Sequence, residues 1–284
     1  MLKTFLKNKT ISVVAPAGKV NPTPLNTAVN IWQSWGTKIK IMPHVTGFEE
    51  DFFSAPAELR AEDFNTAVND DETDFIICAR GGYGCAMLTE LIDWEMLAEK
   101  NKAVIGYSDI TALHQMMLCH NAGIPISGAM FLKAPELFNN PLNADSFVNA
   151  LSNNAQILKT DSKIPFHGKC IVANLAVLSS LCGTDLLCDF KGKCLILEDL
   201  NEPPYKLHRM LNQLAQSGIF DQLSALACGE FLDCGEVYKT EKIFRFFAAK
   251  YNLPLYLNLP IGHGDKIFAI NMRNDISIIK DNSI

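Results

Sequence analysis

No Cys-x-x-Cys pair occurs among the nine cysteines of this 284-residue chain, so neither a zinc ribbon nor a thioredoxin-type redox motif is encoded. The cysteines Cys78, Cys85, Cys119, Cys170, Cys182, Cys188, Cys194, Cys228 and Cys234 are odd in number and irregularly spaced, mostly in apolar surroundings. They read as reduced thiols of a cytosolic protein rather than a disulfide framework. His-Glu-x-x-His is missing, and so are the full Gly-x-Gly-x-x-Gly pattern and a Walker lysine. No block of Lys and Arg marks a nucleic-acid footprint, and the net charge of −6 speaks only to solubility. No stretch approaches the ~18 apolar residues of a membrane span. The start, Met1 to Lys9, carries positive charge but no apolar segment before the polar Lys7–Thr10 stretch, unlike a signal peptide. A soluble, cytoplasmic protein without metal, cofactor, nucleic-acid partner or membrane contact is expected.

What is present is apolar content of 48% against 20% charged residues, enough for a substantial core in one large or two ordinary domains. The first half alternates short apolar runs with helix-period segments. Strands are expected at Ile11–Val14, Lys38–Met42, Asp74–Cys78, Ala103–Gly106 and Ile124–Ser127. Between them fall helices at Pro24–Trp35, Pro56–Val68, Cys85–Ile92 and Asp109–His120. Strands separated by helices favour parallel pairing through right-handed crossovers, a doubly wound sheet. Residues from Ala134 to about Pro165 are rich in Asn, Pro, Asp and Ser and read as a connector with one short helix. Beyond it, helices fit Ala173–Leu181, Tyr205–Gln216 and Lys242–Tyr251. Strands fit Lys193–Leu197, Ala225–Cys228, Phe268–Asn271 and Ile276–Ile279. The expected fold is α/β: an N-terminal domain over residues 1–145, a linker over 146–165, and a smaller α/β C-terminal domain over 166–284.

Chemistry concentrates at a few turns. In Gly106-Tyr107-Ser108-Asp109 a strand hands its chain to a helix through a tight turn with a serine at the tip. Ser108 can be a nucleophile there, with the Asp109 amide facing developing negative charge, or it can be a helix N-cap. Arg80-Gly81-Gly82-Tyr83-Gly84 follows the third expected strand, and a parallel sheet sets this loop beside Ser108. The Gly81 or Gly82 amide can serve as a second oxyanion donor. A phosphate loop or a plain turn are the other readings.

A serine needs a base. On the helix that Ser108 opens, His114 and His120 are displaced by roughly 9 and 18 Å; His120 is out of reach and His114 would face a different side. His263, between Gly262 and Gly264 in a loop after an apolar run, suits a base presented into a cleft. Glu198 ends an apolar strand, where a carboxylate needs a partner such as an imidazole N–H; Asp199 and Glu202 are the alternatives for this acid.

Together, Val14-Ala15-Pro16-Ala17-Gly18, Ala79 to Gly84, Gly106 to Asp109, Leu197-Glu198-Asp199 and Gly262-His263-Gly264 occur in one order. They resemble the LD-carboxypeptidases, the serine peptidase family that also holds the microcin C immunity peptidases. The resemblance runs nearly end to end. It implies a Ser108–Glu198–His263 triad and an oxyanion hole from the Asp109 amide with Gly81 or Gly82. It also implies a doubly wound N-terminal domain of flavodoxin or glutamine-amidotransferase type, and a homodimer. The implied reaction is metal-independent release of the terminal D-alanine from a murein tetrapeptide, in cytoplasmic peptidoglycan recycling. Arg80, Tyr107 and Glu202 are the substrate-contact candidates, with a structural arginine as the other reading of Arg80. A peptidyl-nucleotide antibiotic is the alternative substrate, and a non-enzymatic nucleotide-binding protein the distant alternative.

Overall fold

The computed structural model describes residues 1–47 and 52–281. The chain begins with a short helix α1 (Leu2–Leu6) and then winds β1 (Thr10–Val14), α2 (Pro22–Ser34), β2 (Lys38–Ile41), α3 (Ala57–Asn69) and β3 (Phe75–Cys78). Next come α4 (Trp94–Lys100), β4 (Ala103–Gly106), α5 (Ile110–Cys119) and β5 (Ile124–Ser127). Strands β1, β3 and β4 are buried at every position, as expected of parallel strands covered by helices on both faces.

A helix expected over Cys85–Ile92 is only a 3₁₀ turn at Cys85–Leu88. The helix lies further on, at α4, where the Asp93 side chain caps the Met96 amide at 2.9 Å. The connector expected from Ala134 to Pro165 is mostly ordered structure: α6 (Ala134–Asn139), α7 (Pro141–Leu151) and β6 (Gln156–Thr160). Pro141 at the first turn and the Asn140 side chain accepting from the Leu142 amide start α7, so its Asn and Pro residues open a helix rather than a loop.

The remaining elements are β7 (Phe166–Asn174), α8 (Leu175–Ser180), β8 (Cys194–Leu200), α9 (Pro204–Gln216), β9 (Ala225–Leu232), α10 (Val237–Lys250), β10 (Leu255–Tyr256), β11 (Ile270–Asn271) and β12 (Asp275–Lys280). Ala173 and Asn174, expected to open a helix, instead end β7, and Asn174 caps α8 by accepting from the Val177 amide.

Two six-stranded sheets result, with orders β11-β5-β4-β3-β1-β2 and β10-β9-β8-β7-β12-β6. In the first, β1 to β5 are all parallel in flavodoxin-like order, and β11 joins β5 antiparallel. In the second, β7 to β10 are parallel and β12 runs antiparallel to β7. Side-chain alternation splits the second core in two: Leu195 and Leu197 pack toward α8, α9 and α10, while Cys194 and Ile196 face the opposite layer with Tyr256, Ile276 and Ile278. No helix among the described residues is long and apolar enough to cross a membrane.

Candidate active site

The carboxyl ends of β1, β3 and β4 meet at one point of the first sheet. Gly106 leaves β4 tightly: a β-carbon there would fall within 2.7 Å of the Ile110 side chain. Ser108 then takes φ +63°, a left-handed conformation costing an L-residue roughly 1–2 kcal/mol. Strain of this kind at a strand-to-helix turn holds the hydroxyl out from the sheet edge. Helix α5 takes no side-chain cap; its first turn is bonded from the Thr111 amide to the Ser108 carbonyl at 2.9 Å.

The loop after β3 closes on this turn. A β-carbon on Gly81 would stand 2.8 Å from Ser108 Cβ, 2.9 Å from its Oγ and 3.6 Å from the Asp109 amide nitrogen. Only a glycine allows that approach. The Asp109 side chain turns inward, accepting from the Cys85 amide at 2.9 Å, and burial raises its carboxyl above the ordinary value. It thereby pins the far end of the same loop.

A second fastener escaped the sequence reading. Arg60, 1% exposed, donates to the carbonyls of Ala55, Pro16 and Gly84 and lies over the Phe53 ring at 4.8 Å. It therefore ties the segments following β1, preceding α3 and following β3 into one unit. An arginine one helical turn before Phe64 and two before Ala67, on the buried face of α3, was its sequence signal.

From the second sheet, β8 delivers Glu198 at a break in its register with β9. Glu198 is 2% exposed, and its Oε2 meets His263 Nδ1 at 2.6 Å. The Tyr107 ring and the imidazole meet edge to face, centroids 4.9 Å apart at 74°. Burial holds the Tyr107 phenol well above its usual value, so it stays neutral. Asp199 faces away, accepting from Asn174 Nδ2 and the amides of Ala176 and Leu200. Glu202 pairs with Lys206 at 3.2 Å, one turn along α9, and does not line the cleft. Of the three acids, Glu198 is the one bonded to His263.

Ser108 and His263 line one cleft of about 510 Å³, with Arg80, Gly81, Gly82, Met130 and Leu200. Arg80 bonds the carbonyls of Gly81 and Lys19, both at 3.2 Å, so it braces its own loop while bordering the cleft. Lys133 and Glu136, which sequence reasoning passed over, also line the cleft and pair with each other at 2.7 Å. No group of three or more His, Cys, Asp or Glu side chains among the described residues could hold a metal ion.

Residues 11–128 match the family model described as the LD-carboxypeptidase N-terminal domain, and 167–278 match the C-terminal domain of the same family. A murein tetrapeptide carboxypeptidase of Pseudomonas aeruginosa is 31% identical over 275 residues, covering 89% of this chain and 88% of that protein. A probable murein peptide carboxypeptidase of Bacillus subtilis is 27% identical over 282 residues, covering 94% and 88%. Among solved structures, a muramoyltetrapeptide carboxypeptidase from Oxalobacter formigenes superposes with a TM-score of 0.83 at 23% identity, over 95% of this chain and 96% of that one. The wild-type microcin C7 self-immunity protein MccF gives 0.85 at 19% identity, over 96% and 93%. At these identities the two structures speak for the fold.

Proposed function

Because this chain belongs to the LD-carboxypeptidase family, we propose that it is a metal-independent serine peptidase releasing the terminal D-alanine from murein tetrapeptides. The observation that carries this reading is one cleft lined by Ser108 from the first sheet and His263 from the second, with Glu198 bonded to the far side of the imidazole.

Glu198 on Nδ1 fixes the tautomer and leaves Nε2 for the serine. In the reaction, His263 takes the Ser108 proton as the hydroxyl attacks the carbonyl before D-alanine. Glu198 orients the imidazole and stabilises the imidazolium. Negative charge growing on the carbonyl oxygen meets the Asp109 amide at the head of α5 and the amides of Gly81 or Gly82. His263 then protonates the departing amine, D-alanine leaves, and water opens the Ser108 ester by the same base. A carboxypeptidase must also recognise a terminal carboxylate. Arg80, on the same cleft, supplies positive charge for it, while Lys133 beside it is paired with Glu136. Tyr107 shields the imidazole from water on one side. The setting implied is cytoplasmic peptidoglycan recycling by a homodimer.

The deciding assay incubates the protein with muropeptides ending in L,D- and in D,D-bonds and identifies the released amino acid by mass. D-Alanine from the L,D-substrate alone is expected. Release only from the D,D-substrate, or from neither, overturns the reading.

A further inference from the structure

Glu230, near the end of β9, takes no part in the chemistry above, yet its contacts go to the loop that carries His263. That loop runs along the end of β9: the Leu259 amide donates to the Cys228 carbonyl at 3.0 Å, and the Glu230 amide donates to the Ile261 carbonyl at 2.7 Å. The Glu230 side chain continues the attachment past the histidine, its Oε2 accepting from the Gly264 amide at 2.7 Å. The glycines flanking His263 follow from the same side chain. A β-carbon on Gly262 would lie 2.5 Å from Glu230 Cβ, and one on Gly264 would lie 2.5 Å from Oε2 and 2.7 Å from Oε1. The space beside both glycines is filled by Glu230.

Two flanking glycines leave the His263 backbone many accessible conformations. The bond to Glu198 fixes one ring nitrogen but not the backbone from which the ring hangs. We propose that Glu230 is a positioning residue: its carboxylate clamps the Gly264 amide, fixing the His263 backbone so that an imidazole bonded to Glu198 faces Ser108. The inference rests on the reading of His263 as the base for Ser108. It differs from the role of Glu198, which touches the imidazole itself; Glu230 acts only through the loop.

The test compares Glu230→Ala and Glu230→Gln in the full chain. Readouts are kcat and KM for D-alanine release and the rate at which a fluorophosphonate probe labels Ser108, which needs an activated serine but no knowledge of the substrate. Glu230→Ala is expected to lower kcat and the labelling rate about tenfold to a hundredfold, the scale of a misplacement near 1 Å, with KM within about twofold. Glu230→Gln, whose amide oxygen can accept the same Gly264 N–H, is expected to restore most of the loss. If Glu230→Ala does not fold, Gly264→Ala strains the same contact from its other side and is expected to show the same loss in kcat. Wild-type kcat and labelling in Glu230→Ala, or in Gly264→Ala, would overturn the clamp, as would a Gln variant no better than Ala. A wild type that labels but releases no amino acid sinks the substrate alone, and the labelling rates still judge Glu230. A wild type that does neither sinks the serine reading, and the clamp with it.

Discussion

The Thr111 hydroxyl accepts a 2.9 Å hydrogen bond from the backbone amide of Asn174, so the helix opened by Ser108 is bonded directly to the sheet that carries Glu198. Asn174 in turn donates from its side chain to Asp199, the neighbour of Glu198, at 3.0 Å. Both partners of the Thr111 bond are buried. Thr111→Val keeps the shape but strands the Asn174 amide away from water, and a loss of about 1–3 kcal/mol is expected in chemical denaturation. An unchanged midpoint would show that the contact contributes nothing.

Ser108→Ala should abolish D-alanine release while leaving stability near wild type, because alanine keeps the β-carbon and the strained backbone. Ser108→Gly should be equally inactive but more stable by about 1 kcal/mol, since glycine adopts the φ of +63° without penalty. Inactivity is read by mass detection of D-alanine and the stability order by thermal melts. Full activity in either variant ends the nucleophile assignment.

The three neighbouring acids should separate cleanly. Glu198→Gln, which can hold the wrong imidazole tautomer, is expected to lower kcat by about a thousandfold or more. Glu202→Gln, whose carboxylate faces Lys206, should stay within about threefold of wild type. The reverse order in steady-state kinetics would move the acid from Glu198 to Glu202.

His114 and Asp199 should give opposite pH trends. Burial depresses the His114 imidazole to about 4, its Nε2–H being held on the Val104 carbonyl. Between an unfolded value near 6.5 and that value the native state binds fewer protons than the unfolded chain. Its contribution is therefore complete above about pH 6.5 and lost as pH falls toward 4. Burial raises Asp199 to about 6, so the native state keeps a proton that the unfolded chain has released. That contribution is complete below about pH 4 and lost as pH rises through 6. From pH 4 to 7, the stability of wild type minus that of His114→Gln should rise by about 3 kcal/mol. The same difference taken against Asp199→Asn should fall by a similar amount. Urea titrations across the range test both, and a difference of the other sign contradicts the assignment.

How much of this was legible in the sequence depended on whether a residue's role was local. Strands β1, β3 and β4 announce themselves as apolar runs because helices cover both their faces. Strand β6 hides because its pattern is inverted: Gln156 is buried, bonding Asn271 through both atoms of its amide, while Ile157 is 48% exposed. Helix α4 buries only Leu97, too little for a period to register. Ser108 and His263 could be singled out because glycines in their own turns mark them. Arg60 shows in the sequence only its place on the buried face of α3, and Glu230 shows nothing, since what they hold is distant in sequence: Arg60 bonds Pro16 and Gly84, and Glu230 bonds Gly264. Choosing Glu198 over Asp199 and Glu202 took the direction each side chain points, which neighbouring positions on one strand and loop do not reveal.

The antiparallel pairing of β11 with β5 sets Ile270 opposite Ser127 at the edge of the first sheet. During synthesis, β5 therefore waits with an unpaired edge until more than a hundred further residues, Gly128 to Asn271, have been made. Such an edge is a template for other nascent strands. A message truncated anywhere before Ile270 would yield a first sheet lacking its last strand, and the same short strand that completes the fold becomes the point at which incomplete chains are exposed to aggregation and proteolysis.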